Sequence, residues 1–436
     1  LQITSPQPAH ETPAASQAGS IDVSRRRLVI AGLVGNVLEW YDFSIYGYFA
    51  PAIGRHFFPS KNPTTSLLAA FGVFSAGFIA RPLGALVFGY IGDRYSRERA
   101  LTLSILTMAV PTCATGLMPD YHAIGIAASI LLIVLRLIQG LSAGGEYTTS
   151  IVFLVERSSH GRRGLMGSLG LFGSIAGGMI GSATAALLTY LMPSEQVMAW
   201  GWRIPFICGI GPAFFGIMIR RELRHMPATA YHSAFTLANL LAMQWRSVVR
   251  VFGFELLEGV GFYMTFIYLS TYLSSVVRIP EHEALAINTL CMAFVLIVIP
   301  VGGMLSDRVG RKPVLLTAAI AAAAFAWPLF RLLNHPGFGS ILAGEMAMAT
   351  IIGLYEGAAP AAAAEAFPAA VRATGVAMAF NLCMTLFGGT TPIVATYLIA
   401  LTHNEMAPPV YLAAAAVISG LVVLNLRETA EAPLAQ

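Results

Sequence analysis

Twelve apolar runs follow one another along this chain, near residues 28–53, 66–91, 100–118, 123–154, 164–191, 202–220, 248–276, 284–305, 313–333, 340–364, 371–400 and 408–427. A hydrocarbon layer of ~30 Å is crossed by ~20 helical residues, so each run is long enough to span as a helix. Only 11% of the 436 residues are charged, against ~25% in a soluble domain, and the mean hydropathy is +0.70. The expected fold class is an all-α membrane protein with twelve transmembrane helices.

Basic residues orient the spans, because cytoplasmic loops collect Lys and Arg. With the first run starting inside, the segments on that side hold Arg25–Arg27, Arg94, Arg97, Arg99, Arg157, Arg162, Arg163, Arg220, Arg221, Arg224, Arg246, Arg250, Arg308, Arg311, Lys312, Arg372 and Arg427, nineteen of the twenty-six. Both termini are therefore expected in the cytoplasm. The net charge of +4 is small and scattered through short loops, which gives nucleic acid no basic surface to bind. Cys113, Cys208, Cys291 and Cys383 each stand alone in an apolar run, so neither a disulfide framework nor a metal site is expected, and no cofactor is implied. The nine histidines fall in loops or at span ends, too shallow for a mid-membrane relay.

The chain repeats itself. Gly89–Arg99, GYIGDRYSRER, returns as Gly303–Lys312, GMLSDRVGRK, with Asp93 and Asp307 214 positions apart. Glu156 precedes Arg163 by seven residues, and Glu365 precedes Arg372 by seven. Matched offsets of this kind indicate two parallel six-helix repeats, giving a disordered cytoplasmic tail over 1–24, bundles over 25–220 and 248–427, a cytoplasmic linker over 221–247 and a tail over 428–436. Asp and Arg at the repeated loop suit a latch between the bundles, with Asp93, Arg94 and Arg97 in one copy and Asp307, Arg308 and Arg311 in the other as the cytoplasmic gate.

The loop G-x-x-x-D-R-x-G-R-K resembles the cytoplasmic signature of the major facilitator superfamily, matched in full from Gly303 to Lys312, while the first copy has Ser96 and Glu98 where the family has Gly and usually a base. GNVLEWYDFSIYG (35–47), HFFPS, FIARPLGALVFGYIGDR, RLIQGLSAGGEYTTS and WGWRIPF together resemble the metabolite:proton symporter family. That resemblance implies two pseudo-symmetric six-helix bundles in the inner membrane, acting as a monomer, with a small polar solute, a proton and the lipid bilayer as partners.

Charges at membrane depth are costly and functional by default. At 1.5 Å per residue, Glu39 and Arg81 each lie ~16 Å above the inner end of their span and Glu146 ~12 Å, whereas Asp42 at ~21 Å and Arg136 at ~27 Å form a higher level. We expect Glu39, Asp42 and Glu146 to include the proton carrier, tuned by Arg81 and Arg136. Tyr46, Gln139, Tyr147, Glu258, Tyr263, Tyr268, Glu356 and Asn381, polar tips on apolar bodies, are the expected solute contacts.

Two solute classes compete. Arg81 and Arg136 can hold a carboxylate bidentately, whereas Glu258 and Glu356 suit an ammonium. FGGTTP (387–392) is similar to carboxylate-transporting relatives, and the chain stops nine residues after Arg427, without the long coiled-coil extension of some osmosensing relatives. The sequence thus favours proton symport of a di- or tricarboxylate, with proline or betaine as the alternative and a channel or membrane sensor as the reading from another class. A phosphate-cradling GxxxxGK[ST] loop is absent from the sequence, as is a nucleophile–base pair, so neither an ATP-driven pump nor an enzyme is expected.

Overall fold

The fold is described from a computed structural model covering residues 35–94, 97–142, 146–159, 161–211, 237–335 and 337–434, excluding the side chains of residues 85, 86, 89, 90, 92–94, 97–101, 146 and 237–242. The expected amino-terminal tail, most of the linker, and the side chains of Glu146, Asp93, Arg94 and Arg97 lie outside the described residues.

Among those residues, eight helices are long and apolar enough to cross a membrane, and two shorter apolar helices accompany them, Thr102–Leu117 and Pro408–Leu424. We number the spans α1 (35–48 with Ala50–Phe57), α2 (Pro63–Ile79 with Arg81–Arg94), α3 (Arg97–Leu117), α4 (Ile126–Ser142 with Glu146–Glu156), α5 (Arg163–Leu169 with Phe172–Leu191) and α6 (Arg203–Cys208 in its described part). The second half continues with α7 (Met243–Val277), α8 (Glu281–Val309), α9 (Arg311–Leu333), α10 (Phe338–Glu365), α11 (Ala369–Thr402) and α12 (Pro408–Leu424). These segments follow the twelve apolar runs in order.

Local chemistry explains several ends and bends. Asn62 caps α2 by accepting the Thr64 N–H at 2.9 Å, with Pro63 entering at the first turn, where its missing N–H costs nothing. Pro111, Pro300, Pro328 and Pro360 lie inside helices, each removing one ladder hydrogen bond. Widened π turns interrupt α7 at Tyr263–Tyr268 and Leu273–Val277 and α11 at Met384–Gly388. Such bulges concentrate at functional sites.

Small residues set the helix spacing. A Cβ on Gly140 would collide with the Gly77 carbonyl, which seats α4 directly on α2, and one on Gly177 would collide with the Val37 carbonyl, seating α5 on α1. Gly164 and Gly303 meet backbone to backbone where α5 crosses α8, so this contact joins the two halves.

Both ends of the interface between the halves are closed. At the arginine-rich end, Arg163 pairs with Glu365 at 2.9 Å and Arg372 with Glu156 at 2.7 Å, so the two repeated Glu–Arg pairs cross over, each Glu holding the Arg of the other half. Asp307 accepts the N–H groups of Gly164 (2.7 Å) and Leu165 (2.9 Å) at the start of α5 and is held by Arg311 at 2.8 Å. Arg308, expected at the gate, is exposed at the end of α8 and takes no part in these bonds among the described residues. The carboxy-terminal segment straps the same surface. The Glu428 carboxylate accepts the Arg311 and Lys312 N–H groups at 2.9 and 3.0 Å, and Arg163 donates to the Ala432 carbonyl at 2.6 Å.

At the opposite end Asn288 on α8 donates to the Tyr48 hydroxyl of α1 (2.9 Å) and to Ser182 of α5 (3.0 Å), while Tyr48 donates to the Phe266 carbonyl of α7 at 2.9 Å.

Candidate solute cavity and ion-pair network

Aligned carbonyls and amides inside a helix are already bonded to one another, so polar chemistry at mid-depth must come from side chains. In the amino-terminal half it comes as two separate ion pairs. Arg81 reaches Glu39 at 3.0 Å and Arg136 reaches Asp42 at 2.7 Å. Asp42 also accepts from Thr112 at 2.7 Å and from Gln139 at 2.9 Å, and Gln139 takes an Arg136 N–H at 3.0 Å. Arg136 and Gln139, one turn apart on α4, thus clasp a carboxylate on α1.

Aromatic faces complete the two sites. The Arg136 guanidinium carbon lies 3.7 Å from the Tyr46 ring centroid, and that of Arg81 lies 4.4 Å from Phe78 and 4.6 Å from Phe43. Guanidinium groups stack on such faces, so ring contact replaces hydration on the sides of each cation that the carboxylate leaves bare. Arg81, Arg136 and Asp42 are each 1% exposed. A cleft of about 440 Å³, bordered by Leu38, Ser104, Met108 and Thr112 among others, reaches both Glu39 and Asp42.

The carboxy-terminal half is arranged in the opposite way. Glu255 and Glu258 on α7 and Glu356 on α10 are 2%, 5% and 1% exposed. No ion pair to any of the three occurs among the described residues, and Glu255, Glu258 and Glu356 each keep at least one carboxylate oxygen without a hydrogen-bond partner there.

Glu258 and Glu356 face a cavity between the halves, an irregular space of about 280 Å³ lined by Trp40, Tyr147, Leu171, Ser174 and Ile175 from the first half and by Glu258, Phe262, Tyr263, Glu356, Phe380 and Met384 from the second. All eleven lining residues are buried, so the space is occluded. Its aromatic wall is continuous: Trp40 lies 5.1 Å from Phe262, 6.0 Å from Tyr147 and 6.1 Å from Tyr263, and Tyr147 lies 4.8 Å from Phe380.

The family model of sugar (and other) transporters matches residues 28–227 and 221–436. The chain belongs to that family, within the major facilitator superfamily. It is a secondary transporter and not an enzyme. It is 36% identical over 428 residues to the proline/betaine transporter of Salmonella typhimurium, covering 95% of this chain and 85% of that protein. It is equally 36% identical over 424 residues to a glycine betaine/proline/ectoine/pipecolic acid transporter of Dickeya dadantii, covering 94% and 84%. In fold it is similar to a crystal structure of a D-xylose–proton symporter, with a TM-score of 0.73, 16% identity and coverage of 92% and 97%. The all-helical architecture expected of the family is thereby established.

Of the solute contacts expected from sequence in this transporter, Tyr147, Glu258, Tyr263 and Glu356 meet around the cavity. The other four do not. Tyr46 and Gln139 are taken up by the Arg136–Asp42 site. Tyr268 packs between Phe71 and Tyr272, and the Asn381 amide donates to Ala377 on its own helix at 2.9 Å. Sequence reasoning missed Trp40, Ser174, Phe262, Phe380, Glu255 and Thr112. Two signals were available: Trp40 adjoins Glu39, and Glu255, Glu258 and Phe262 follow i, i+3, i+7 spacing, which puts them on one helix face.

Proposed function

We propose that this transporter is a proton-linked importer of zwitterionic compatible solutes of the proline and betaine class. One observation carries the choice of solute, namely that two buried carboxylates and a wall of aromatic rings line the occluded cavity, and no Arg, Lys or His lines it among the described residues. A di- or tricarboxylate there meets charges of its own sign in a low-dielectric space, where repulsion is strongest. A cationic nitrogen finds two counter-charges and several ring faces. The arginines that suggested an organic acid from sequence are engaged by Glu39 and Asp42. The names of the relatives support the same class, so the sequence-based preference for a carboxylate gives way to its alternative.

Proton linkage rests on the ion pairs. Protonating Asp42 would dissolve its bond to Arg136 and release α4 from α1, which links proton binding to movement of helices that wall the cavity; Glu39 with Arg81 is the second such site. In our reading the two halves, 25–220 and 248–427, rock about the cavity with the crossed Glu–Arg pairs closing the cytoplasmic end. The protein lies in the inner membrane with both termini cytoplasmic.

Proteoliposomes test this. With an imposed inward proton gradient, radiolabelled betaine or proline should accumulate above equilibrium and citrate and α-ketoglutarate should not. Accumulation of an organic acid alone would refute the solute assignment. Counterflow addresses the remaining class: a carrier preloaded with unlabelled solute transiently concentrates label, whereas a channel or sensor does not.

A further inference from the structure

The cavity wall holds both unpaired donors and unpaired acceptors among the described residues. Three lining residues carry a buried donor without a hydrogen-bond partner among the described residues: Trp40 through Nε1, Ser174 through Oγ and Tyr263 through its hydroxyl. They are 5%, 2% and 1% exposed. The unpartnered acceptors are Oε2 of Glu258 and both carboxylate oxygens of Glu356. Leaving a buried donor or acceptor unmade is costly, so unpaired donors and unpaired acceptors around one small cavity together define a ligand that presents an acceptor at one end and a cation at the other.

We propose that the solute lies across the interface, its cationic nitrogen on Glu258 and Glu356 within the aromatic wall and its carboxylate on Trp40, Ser174 and Tyr263. This rests on the zwitterion reading above. Trp40 and Ser174 belong to α1 and α5, while Tyr263 and both glutamates belong to α7 and α10, so a bound zwitterion ties the two halves together, which its cationic end alone does not. A quaternary ammonium has no N–H to donate and interacts through charge and ring faces only, which the glutamates and the rings of Phe262 and Phe380 in the same cavity wall supply. A solute with a permanent cation is therefore held at this end as well as one with a protonated amine. The carboxylate end decides whether both halves are engaged.

Calorimetric binding to the purified full-length protein separates the two ends, with glycine betaine as the probe bearing both and choline as a quaternary ammonium without a carboxylate. Ser174→Ala and Trp40→Phe should each weaken betaine about tenfold and leave choline within about twofold, as expected for hydrogen bonds to a charged group. Glu356→Gln should weaken both probes at least tenfold. Equal losses of both probes in Ser174→Ala and Trp40→Phe, or no loss in either, would overturn the orientation while leaving the zwitterion reading intact. If the wild type binds citrate and neither probe, the zwitterion reading itself fails. Unchanged thermal unfolding of Ser174→Ala, which removes a single oxygen, shows that its effect belongs to binding.

Discussion

Glu365→Gln is the sharpest perturbation of the closed cytoplasmic end. The Glu365 carboxylate holds Arg163 of the other half at 2.9 Å and Arg311 of its own half at 3.2 Å, and the side chains in the Arg163 pair are 5% and 2% exposed. Removing one partner of such a buried pair costs ~3–5 kcal/mol, chiefly because the remaining charge is stranded. Arg163 keeps its bond to the Ala432 carbonyl, so the lower figure applies. At ~1.4 kcal/mol per factor of ten, 3 kcal/mol moves the closed-to-open ratio about a hundredfold. The assay is alkylation of a single cysteine at Ala361, which is buried where Gly167 of α5 abuts α10, in a background lacking Cys113, Cys208, Cys291 and Cys383. Labelling should accelerate about a hundredfold in Glu365→Gln and stay unchanged in Arg308→Gln, whose arginine lies outside the latch. Adding Arg163→Gln to Glu365→Gln should cost less than the two changes separately, because both remove the same contact between the halves. An unchanged labelling rate in Glu365→Gln would show that the crossed pairs do not hold this end shut.

Three further outcomes follow from the same contacts. Asp42→Asn should abolish proton-driven accumulation yet retain solute counterflow, since the cavity residues are untouched; uptake assays with and without a gradient check this. Gly140→Val should lower the unfolding temperature, the overpacking of α4 against the Gly77 carbonyl costing on the order of 1–3 kcal/mol. Partial burial raises the Glu428 carboxyl, but N–H donation from Arg311, Ala430, Lys312 and Thr429 outweighs it, leaving the group below its ordinary value. A depressed carboxyl stabilises the strap above the ordinary glutamate pKa and loses that contribution as pH falls through the depressed value; amide exchange of residues 428–432 should rise over that acidic window, and Glu428→Gln should abolish the dependence.

The apolar runs announced the helices because a span's length is set by bilayer thickness alone. Depth arithmetic separated Glu39 and Asp42 into two levels, since rise per residue is fixed along a helix, and the structure pairs them with Arg81 and Arg136 respectively. The duplication exposed Glu156, Arg163, Glu365 and Arg372 but not their crossed pairing, because an internal repeat specifies equivalent positions and leaves open which equivalent positions touch. The cavity was the least legible part. Its wall is assembled from six helices whose rotations are fixed by glycine contacts such as Gly177 on Val37, so Trp40 and Phe380 read in sequence as ordinary apolar positions.

The two halves differ in how they settle their buried charges, and that difference is measurable. Glu39 and Asp42 are neutralised internally by arginines, whereas Glu255, Glu258 and Glu356 have no ion-pair partner among the described residues. Clustered carboxylates without a counter-charge destabilise the empty protein, and an amide of the same shape relieves that cost. Glu356→Gln should therefore raise the unfolding temperature of the solute-free transporter, and it should also remove the further rise that betaine produces in the wild type through mass action. Asp42→Asn should do the reverse to the empty protein, since it strands Arg136 beside Tyr46. If Glu356→Gln lowers the unfolding temperature as Asp42→Asn does, Glu356 has a cationic partner in the empty state and the cavity is not the unpaired anionic site on which the solute assignment depends.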